Sequence, residues 1–160
     1  MKRIIAFFLS LVLFFSIFTL NINAVDYTSK PIVVDFVITK GYEQITNKDT
    51  RATGLIGSYG LSLSKTGTTL YLRGQTYGSP DVVTCGFKNL TVERRKTSDD
   101  SWKDYYEFGN VYVDAVAANL ETTLVVESGY QYRISCKHYA KKNILSVQTI
   151  ANTSNIVTVS

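Results

Sequence analysis

From Arg51 onward, apolar and polar side chains alternate with a period of two, and turn residues interrupt the alternation at regular intervals. β-branched and aromatic residues occupy most of the apolar positions. Both features are typical of short strands that bury one face, and helices show a different period. The pattern therefore predicts an all-β domain of the sandwich type.

The alternation predicts about seven strands joined by short turns. The turns contain glycine, aspartate or serine, which adopt turn conformations readily. The predicted strands cover 55–63, 70–72, 85–96, 102–108, 120–126, 130–139 and a last segment that ends at 159 and is broken near 152–155. Residues 111–120 have no helix caps, so we expect a crossover between two sheets there.

The remainder of the chain divides into a leader and an extension. Residues 25–50 form an N-terminal extension, in which one apolar stretch at 32–38 is predicted as an edge strand and 42–50 as a loop. The β-sandwich domain then occupies 51–160. The 136 residues that follow the leader suit one domain, because a chain of this size buries about two thirds of its unfolded surface.

The first 24 residues have the order of a secretory signal. Lys2 and Arg3 precede an apolar run from Ile4 to Phe18, and Ala24 offers the small residue that signal peptidase requires. We therefore predict a signal peptide at 1–24 and a secreted, extracellular product. An uncleaved anchor is the alternative, since about 17 apolar residues is near the lower limit for a membrane span. The polar flank after the run argues against it, so no membrane span is expected after cleavage.

Removal of the leader lowers the net charge from +4 to +2, because two of the basic residues lie within it. The remaining basic residues, around 94–96 and 137–142, would lie at opposite ends of two paired strands. Nucleic-acid binding usually requires one clustered basic face, so we expect no nucleic-acid partner.

Two cysteines in an exported chain raise the possibility of a disulfide between Cys85 and Cys136. If their strands are antiparallel neighbours, the beginning of one lies beside the end of the other. The bond would close a loop of about 50 residues and stabilise the fold by roughly 4 kcal/mol. Two separate buried thiols are the alternative.

The candidate catalytic and metal-binding residues form no complete site. His138, the only histidine, shares a strand face with Cys136, but we expect a strand-end histidine near solvent and not a catalytic dyad. Adding Cys85 supplies too few ligands for zinc, and Asp99 and Asp100 lack the spacing of a calcium loop. The sequence predicts a protein that is not an enzyme and has no metal site or cofactor.

Aromatic residues offer a candidate binding surface. The chain has eleven tyrosines; Trp102, Tyr105 and Tyr106 crowd one predicted hairpin, and Tyr77 opens a loop that runs to Asp81. Exposed tyrosine and tryptophan rings mark contact surfaces for proteins or flat sugar faces. We expect Trp102 in the core or at its edge, with a place on a ligand platform as the alternative.

Two resemblances to known families support this fold. Residues 120–139, LETTLVVESGYQYRISCKHY, resemble the E and F strands of fibronectin type III modules, with Tyr132 in the place of their buried tyrosine. Residues 51–160 also resemble a family of small secreted proteins of Gram-positive, Firmicutes-type bacteria. The second resemblance rests on RATG at 51–54, SYGLSLSKTG at 58–67, Cys85-Gly86, SDDSW at 98–102 and GYQYR at 129–133. It implies an immunoglobulin-like fold and export, and it transfers no catalytic residue.

These observations together predict a single antiparallel Greek-key β-sandwich of immunoglobulin or fibronectin type III kind. We expect a secreted, non-catalytic binding module that presents loops such as 77–81 and 140–143 to an unknown protein or glycan at the cell surface. An envelope-associated structural or accessory protein with no soluble ligand is the alternative, and a toxin or bacteriocin-like role is a more distant one.

The signal-peptide prediction has a direct test. A bacterium that exports the full chain should release a protein whose first residue is Val25, and intact-mass spectrometry of the culture medium measures this end. Ala24→Leu should block or displace the cut, because signal peptidase requires a small residue there. A chain that stays in the membrane fraction with residues 1–24 attached would instead support the anchor.

Overall fold

The computed structural model describes residues 30–41, 54–96 and 101–160. Within these ranges the chain forms nine strands and no helix. The strands are β1 (Ile32–Gly41), β2 (Ile56–Thr66), β3 (Thr69–Gly78), β4 (Thr84–Lys96), β5 (Lys103–Val113), β6 (Ala117–Val125), β7 (Tyr130–Asn143), β8 (Ser146–Thr153) and β9 (Val157–Val159). The predicted signal peptide, the loop at 42–50, the start of the domain at Arg51 and the two aspartates at 99 and 100 lie outside the described residues.

The strands form two antiparallel sheets that pack face to face, which confirms the predicted β-sandwich. Sheet A has the order β1-β6-β3-β2, and sheet B has the order β5-β4-β7-β8, with β9 also paired to β7. In immunoglobulin terms β2, β3 and β6 occupy the A, B and E positions, and β4, β5, β7 and β8 occupy C, C′, F and G. The strand order is therefore that of an immunoglobulin-like Greek key.

The strand count is nine within the described residues, and the predicted seven is wrong for two reasons. β1 contains the edge strand that was predicted at 32–38 outside the seven; it pairs with β6 along its whole length, at the edge of sheet A, and takes the position that strand D has in immunoglobulin domains. β9 continues β8 on the same neighbour, β7, after a break at 154–156. The side chain of Asn155 occupies this break, where it accepts a hydrogen bond from Leu63 N (2.9 Å) and donates one to Leu63 O (2.7 Å). The break thus ties an edge of sheet B to sheet A.

The connections divide between the two ends of the sandwich. One end, here called the hairpin end, holds the turn between β7 and β8 and the connections at 79–83 and 114–116. The other, the corner end, holds the turn at 67–68 and the connection between β6 and β7 at 126–129. The strands between them separate any two residues that lie at opposite ends.

The core lies between the sheets and follows the alternation closely. In β6 and just beyond it, every second residue is buried, and the same holds along β7. The buried series are Leu120, Thr122, Leu124 and Val126, and Tyr132, Ile134, Cys136, His138 and Ala140. Full burial of one large apolar side chain contributes about 1.5–3 kcal/mol, so these two series supply much of the stability.

The crossover between the sheets is shorter than predicted. The sequence assigned 111–120 to it, but β5 continues to Val113 and β6 begins at Ala117, so only 114–116 link the two sheets. Ala117 and Ala118 are 1% and 0% exposed. Their small side chains fit the close packing at the start of β6. A Cβ added at Gly41 of the neighbouring strand would lie only 3.0 Å from the Cβ of Ala117.

Tyr132 fixes the connection between β6 and β7. Its side chain is fully buried, and its hydroxyl donates a hydrogen bond to the Glu127 carbonyl oxygen at 2.8 Å. This is the tyrosine corner of immunoglobulin-like sandwiches. Arg94 closes the corner: its guanidinium carbon lies 4.4 Å from the ring centroids of both Tyr105 and Tyr130, and it pairs with Glu127 at 2.7 Å.

Loss of the corner hydroxyl should destabilise the fold. Tyr132→Phe removes the donor to a part-buried carbonyl, so we expect the free energy of unfolding to fall by about 1–2 kcal/mol in urea denaturation. Tyr112→Phe is the matched control, because that side chain is 40% exposed and the change should cost less than about 0.5 kcal/mol. Equal losses in the two variants would contradict a special role for the Tyr132 hydroxyl.

Candidate functional site

The structure does not bring the four aromatic candidates together. Trp102 directly precedes β5 at the corner end, where Lys103 pairs with Arg94. Tyr77 lies near the end of β3 at the hairpin end, opposite Ala117. These two residues therefore lie at opposite ends and on different sheets, and no single surface contains both.

Tyr105 and Tyr106 face the core, although they are neighbours in one strand. The register of β4 and β5 shifts between Val92 and Glu93, and this bulge lets consecutive residues of β5 lean inward. Tyr105 packs on Tyr132, with ring centroids 5.5 Å apart. Tyr106 packs on Phe108 at 4.9 Å, and Phe108 stacks on Phe36 of β1 at 5.1 Å. These rings close the side of the sandwich between the two edge strands.

Trp102 lies on the outer face of sheet B and is not a core residue, contrary to the expectation from sequence. The guanidinium carbons of Arg95 and Arg133 lie 4.6 Å and 4.3 Å from its ring centroid, within cation–π range. Arg95 donates to Gln131 at 2.8 Å, and Arg133 pairs with Glu93. The indole ring is thus held in a polar cluster that belongs to three strands of the sheet.

Tyr77 is only 5% exposed, so it offers little surface to a ligand. Its hydroxyl donates a hydrogen bond to Asn119 Oδ1 at 3.3 Å. Tyr77 therefore orients the Asn119 amide, which lines the trough described below.

Cys85 and Cys136 are two separate buried thiols, the alternative that the sequence left open. In the pairing of β4 with β7, Cys85 stands opposite Ala140. Cys136 lies four positions away, about 13 Å along the strand, whereas a disulfide requires Cα atoms within about 7 Å. Burial raises the pKa of Cys85 to about 11 and that of Cys136 to about 12, so both stay protonated.

His138 is fully buried, and the expected position near solvent is wrong. The Thr76 hydroxyl donates to Gly86 O at 3.1 Å and also lies 2.8 Å from His138 Nδ1. Since that hydroxyl hydrogen is already used, Nδ1 carries the ring proton and donates it to Thr76. Asn152 Nδ2, at 3.2 Å, then donates to Nε2. Both ring nitrogens are satisfied in the neutral form, and burial lowers the pKa of His138 to about 4.

A trough of about 650 Å³ lies on the outer face of sheet A. It crosses all four strands at one level and has no counterpart in the sequence predictions. Its lining comprises Val37, Thr39, Gly60, Leu61, Ser62, Arg73, Gly74, Gln75, Asn119, Leu120 and Glu121. Gly60 lacks a side chain that would stand in the trough, so the surface is open above β2.

The trough combines hydrogen-bond donors and acceptors with a small apolar strip. Arg73 Nε and Glu121 Oε1 lie 3.4 Å apart, and their side chains are 74% and 68% exposed. The amides of Gln75 and Asn119 stand beside this pair. Val37, 40% exposed, supplies apolar surface next to them. Such an arrangement can bind an uncharged polar ligand through several directed hydrogen bonds.

One sequence signal could have indicated the trough. The outward positions of β2 are Ser58, Gly60, Ser62 and Ser64, which are all small. On the neighbouring strand, the larger side chains of Tyr71 and Arg73 project farther from the sheet than these small side chains do, which leaves a depression over β2.

Comparison of the chain with models of known protein families, with curated proteins and with solved structures gives no match. In the part of the chain that the structure describes, no helix is long and apolar enough to cross a membrane. The same residues include no group of three or more histidine, cysteine, aspartate or glutamate side chains placed to hold a metal ion.

Burial of His138 should make the fold sensitive to mild acid. Its pKa of about 4 in the folded state lies below the ordinary 6.5, so the unfolded chain binds the proton more tightly. Stability should be complete above about pH 6.5 and fall as the pH drops toward 4, by roughly 2–3 kcal/mol in total. Urea midpoints measured between pH 7.5 and 4.5 report this loss.

His138→Gln serves as the control, because it removes the only histidine while retaining a side chain with a donor and an acceptor. Its stability should be lower at pH 7 but nearly constant down to about pH 5. Parallel pH profiles for the two proteins in this window would show that His138 is not the titrating group.

Proposed function

We propose that this chain is a secreted, non-catalytic binding module of bacterial type, and that its ligand is a glycan bound in the trough of sheet A. The observation that supports this most directly is the lining of the trough. Planar amide, carboxylate and guanidinium groups there alternate with positions that have little or no side chain.

The chemistry of the lining suits a sugar. Adjacent ring hydroxyls of a sugar both donate and accept, so a site needs both kinds of partner at close spacing. Gln75 and Asn119 each supply both, while Arg73 donates and Glu121 accepts. Tyr71, on the same face as Arg73 and 41% exposed, offers a ring against which the apolar face of a sugar can pack.

The dimensions of the trough suit a short oligosaccharide. Four strands spaced about 4.8 Å apart span roughly 14 Å across the sheet. The trough ends at the two sheet edges, β1 and β2. A polysaccharide chain could therefore cross the sheet and continue at both sides, so the site need not recognise a chain end.

The predicted signal peptide indicates in which compartment such a ligand would be found. If residues 1–24 are a signal peptide, the module acts outside the cell, where wall polymers are the most abundant glycans of Gram-positive bacteria. The resemblance to secreted proteins of such bacteria favours the same setting. A structural envelope protein without a soluble ligand remains the alternative proposal, and it gives the trough no role.

Filling the trough should abolish binding without disturbing the fold. A Cβ at Gly60 would meet only the Gln75 side chain, at 3.7 Å and 3.8 Å, which is ordinary van der Waals contact. Gly60→Leu should therefore fold normally and occupy the trough. We expect its affinity for insoluble Gram-positive cell-wall material and a panel of polysaccharides to fall at least about tenfold in cosedimentation, a loss of about 1.4 kcal/mol.

Two controls make the experiment specific to the trough. Gly57→Leu places the same side chain on the same strand outside the lining, where the nearest atom to a Cβ, beyond the chain neighbours, is the Tyr77 carbonyl oxygen at 3.7 Å. Trp102→Ala alters the outer face of the other sheet. Both should bind as the parent does. If the parent binds none of the polysaccharides saturably, the glycan proposal fails, and if Gly60→Leu binds normally, the ligand uses another surface.

A further inference from the structure

The turn between β7 and β8 exposes two large apolar side chains. Ile144 and Leu145, which form the tip of this hairpin, are 90% and 97% exposed. Val83 and Val147, 53% and 48% exposed, lie directly behind them. Both are adjacent to Lys141, since Val83 N donates to Lys141 O at 2.9 Å and Val147 pairs with Lys141 across the ladder. The tip and the base of this projection thus expose four aliphatic side chains.

Charged groups surround the base of this projection. Lys141 and Lys142 precede the tip in β7. Lys142 Nζ pairs with Asp81 Oδ2 at 2.6 Å, which lowers the pKa of that carboxyl, and Asp114 accepts a hydrogen bond from the Thr84 hydroxyl at 3.2 Å. Lys142 and Asp81 thus offset each other's charge, whereas Lys141 lies half-buried on the outer face of β7, close to the tip.

A tyrosine pair stands further back on the same face of sheet B. Tyr112 and Tyr139 meet at 4.6 Å between ring centroids. They meet above Gly86, which pairs with both of them and whose missing side chain leaves room for the two rings. The hairpin end therefore has an ordered profile, with aliphatic side chains at the tip, lysines next, and tyrosines behind the lysines.

This profile matches the layers of a bilayer surface. Lys141 lies three to four residues from the tip, about 10 Å at 3.3 Å per residue, and interfacial segments bury apolar side chains about 5–10 Å deep. Lysine ammonium groups then reach the level of the lipid phosphates, and tyrosines prefer the headgroup region. A protein pocket for the tip would not require the lysines and tyrosines to be ordered by depth.

We propose that the β7–β8 hairpin tip inserts shallowly into the surface of bilayers that contain anionic lipids. Ile144 and Leu145 enter the acyl boundary, while Lys141 contacts the lipid phosphates and Lys142 keeps its ion pair with Asp81. This contact is independent of the trough, which opens on the outer face of the other sheet. A module bound through its hairpin end would leave the trough accessible.

Vesicle cosedimentation of residues 25–160, which contain every strand that the structure describes, tests the proposal once circular dichroism has verified folding. The parent should bind vesicles of equal phosphatidylglycerol and phosphatidylcholine at millimolar lipid, and bind phosphatidylcholine vesicles more weakly. The double variant Ile144→Ser, Leu145→Ser should lose at least about tenfold in its partition coefficient. Ile156→Ser removes a 48% exposed apolar side chain at the corner end and should bind as the parent does.

A fluorescence measurement identifies the inserted residue. In a Trp102→Phe background, Leu145→Trp places the only indole at the tip, and its emission should shift to the blue on addition of the anionic vesicles. The proposal is overturned if the parent does not sediment with anionic vesicles, if the double variant sediments equally well, or if the indole emission stays unchanged. The last two results would show that the vesicles bind a surface other than the hairpin tip.

Discussion

The antiparallel pairing of β4 with β7 fixes the register on which the rest of the structure depends. It sets Lys96 beside Tyr130 at one end and Thr84 beside Lys141 at the other. At the corner end this register brings Arg94 to the tyrosine corner and stabilises the turn between the sheets. Near the hairpin end it sets Phe87 against His138, with ring centroids 5.5 Å apart. The Phe87 ring thus packs on the histidine that Thr76 and Asn152 hold by hydrogen bonds.

The sequence predicted those parts of the fold that depend on local alternation. It located β4, β6 and β7. It also placed a turn between the predicted strands 55–63 and 70–72, where Gly67 has a φ of +57° that suits the first position of a type II′ turn. It did not predict the bulge that turns Tyr105 and Tyr106 inward, because a register shift depends on the partner strand. The burial of His138 was also hidden, since its partners come from strands 62 positions upstream and 14 positions downstream.

The candidate sites show a similar division. Of the four aromatic residues that the sequence selected, two close the sandwich edge, one orients an amide, and Trp102 lies between two arginines on the outer face of sheet B. The two surfaces that we propose as binding sites are instead made of small or aliphatic residues, a run of serines and glycines on β2 and an isoleucine–leucine pair in a tight turn. Large aromatic rings are conspicuous in the sequence. A concave surface needs small side chains beside larger ones, and that arrangement exists only after the strands pair.

The two buried thiols have a consequence for where and when this protein can fold. Because no covalent cross-link contributes to the core, the native state forms without an oxidant and without thiol–disulfide isomerases, and reducing agents leave it intact. The protonated, enclosed sulfurs also resist sulfenic acid formation, which proceeds through the thiolate. The folded chain is therefore indifferent to the redox potential of its surroundings.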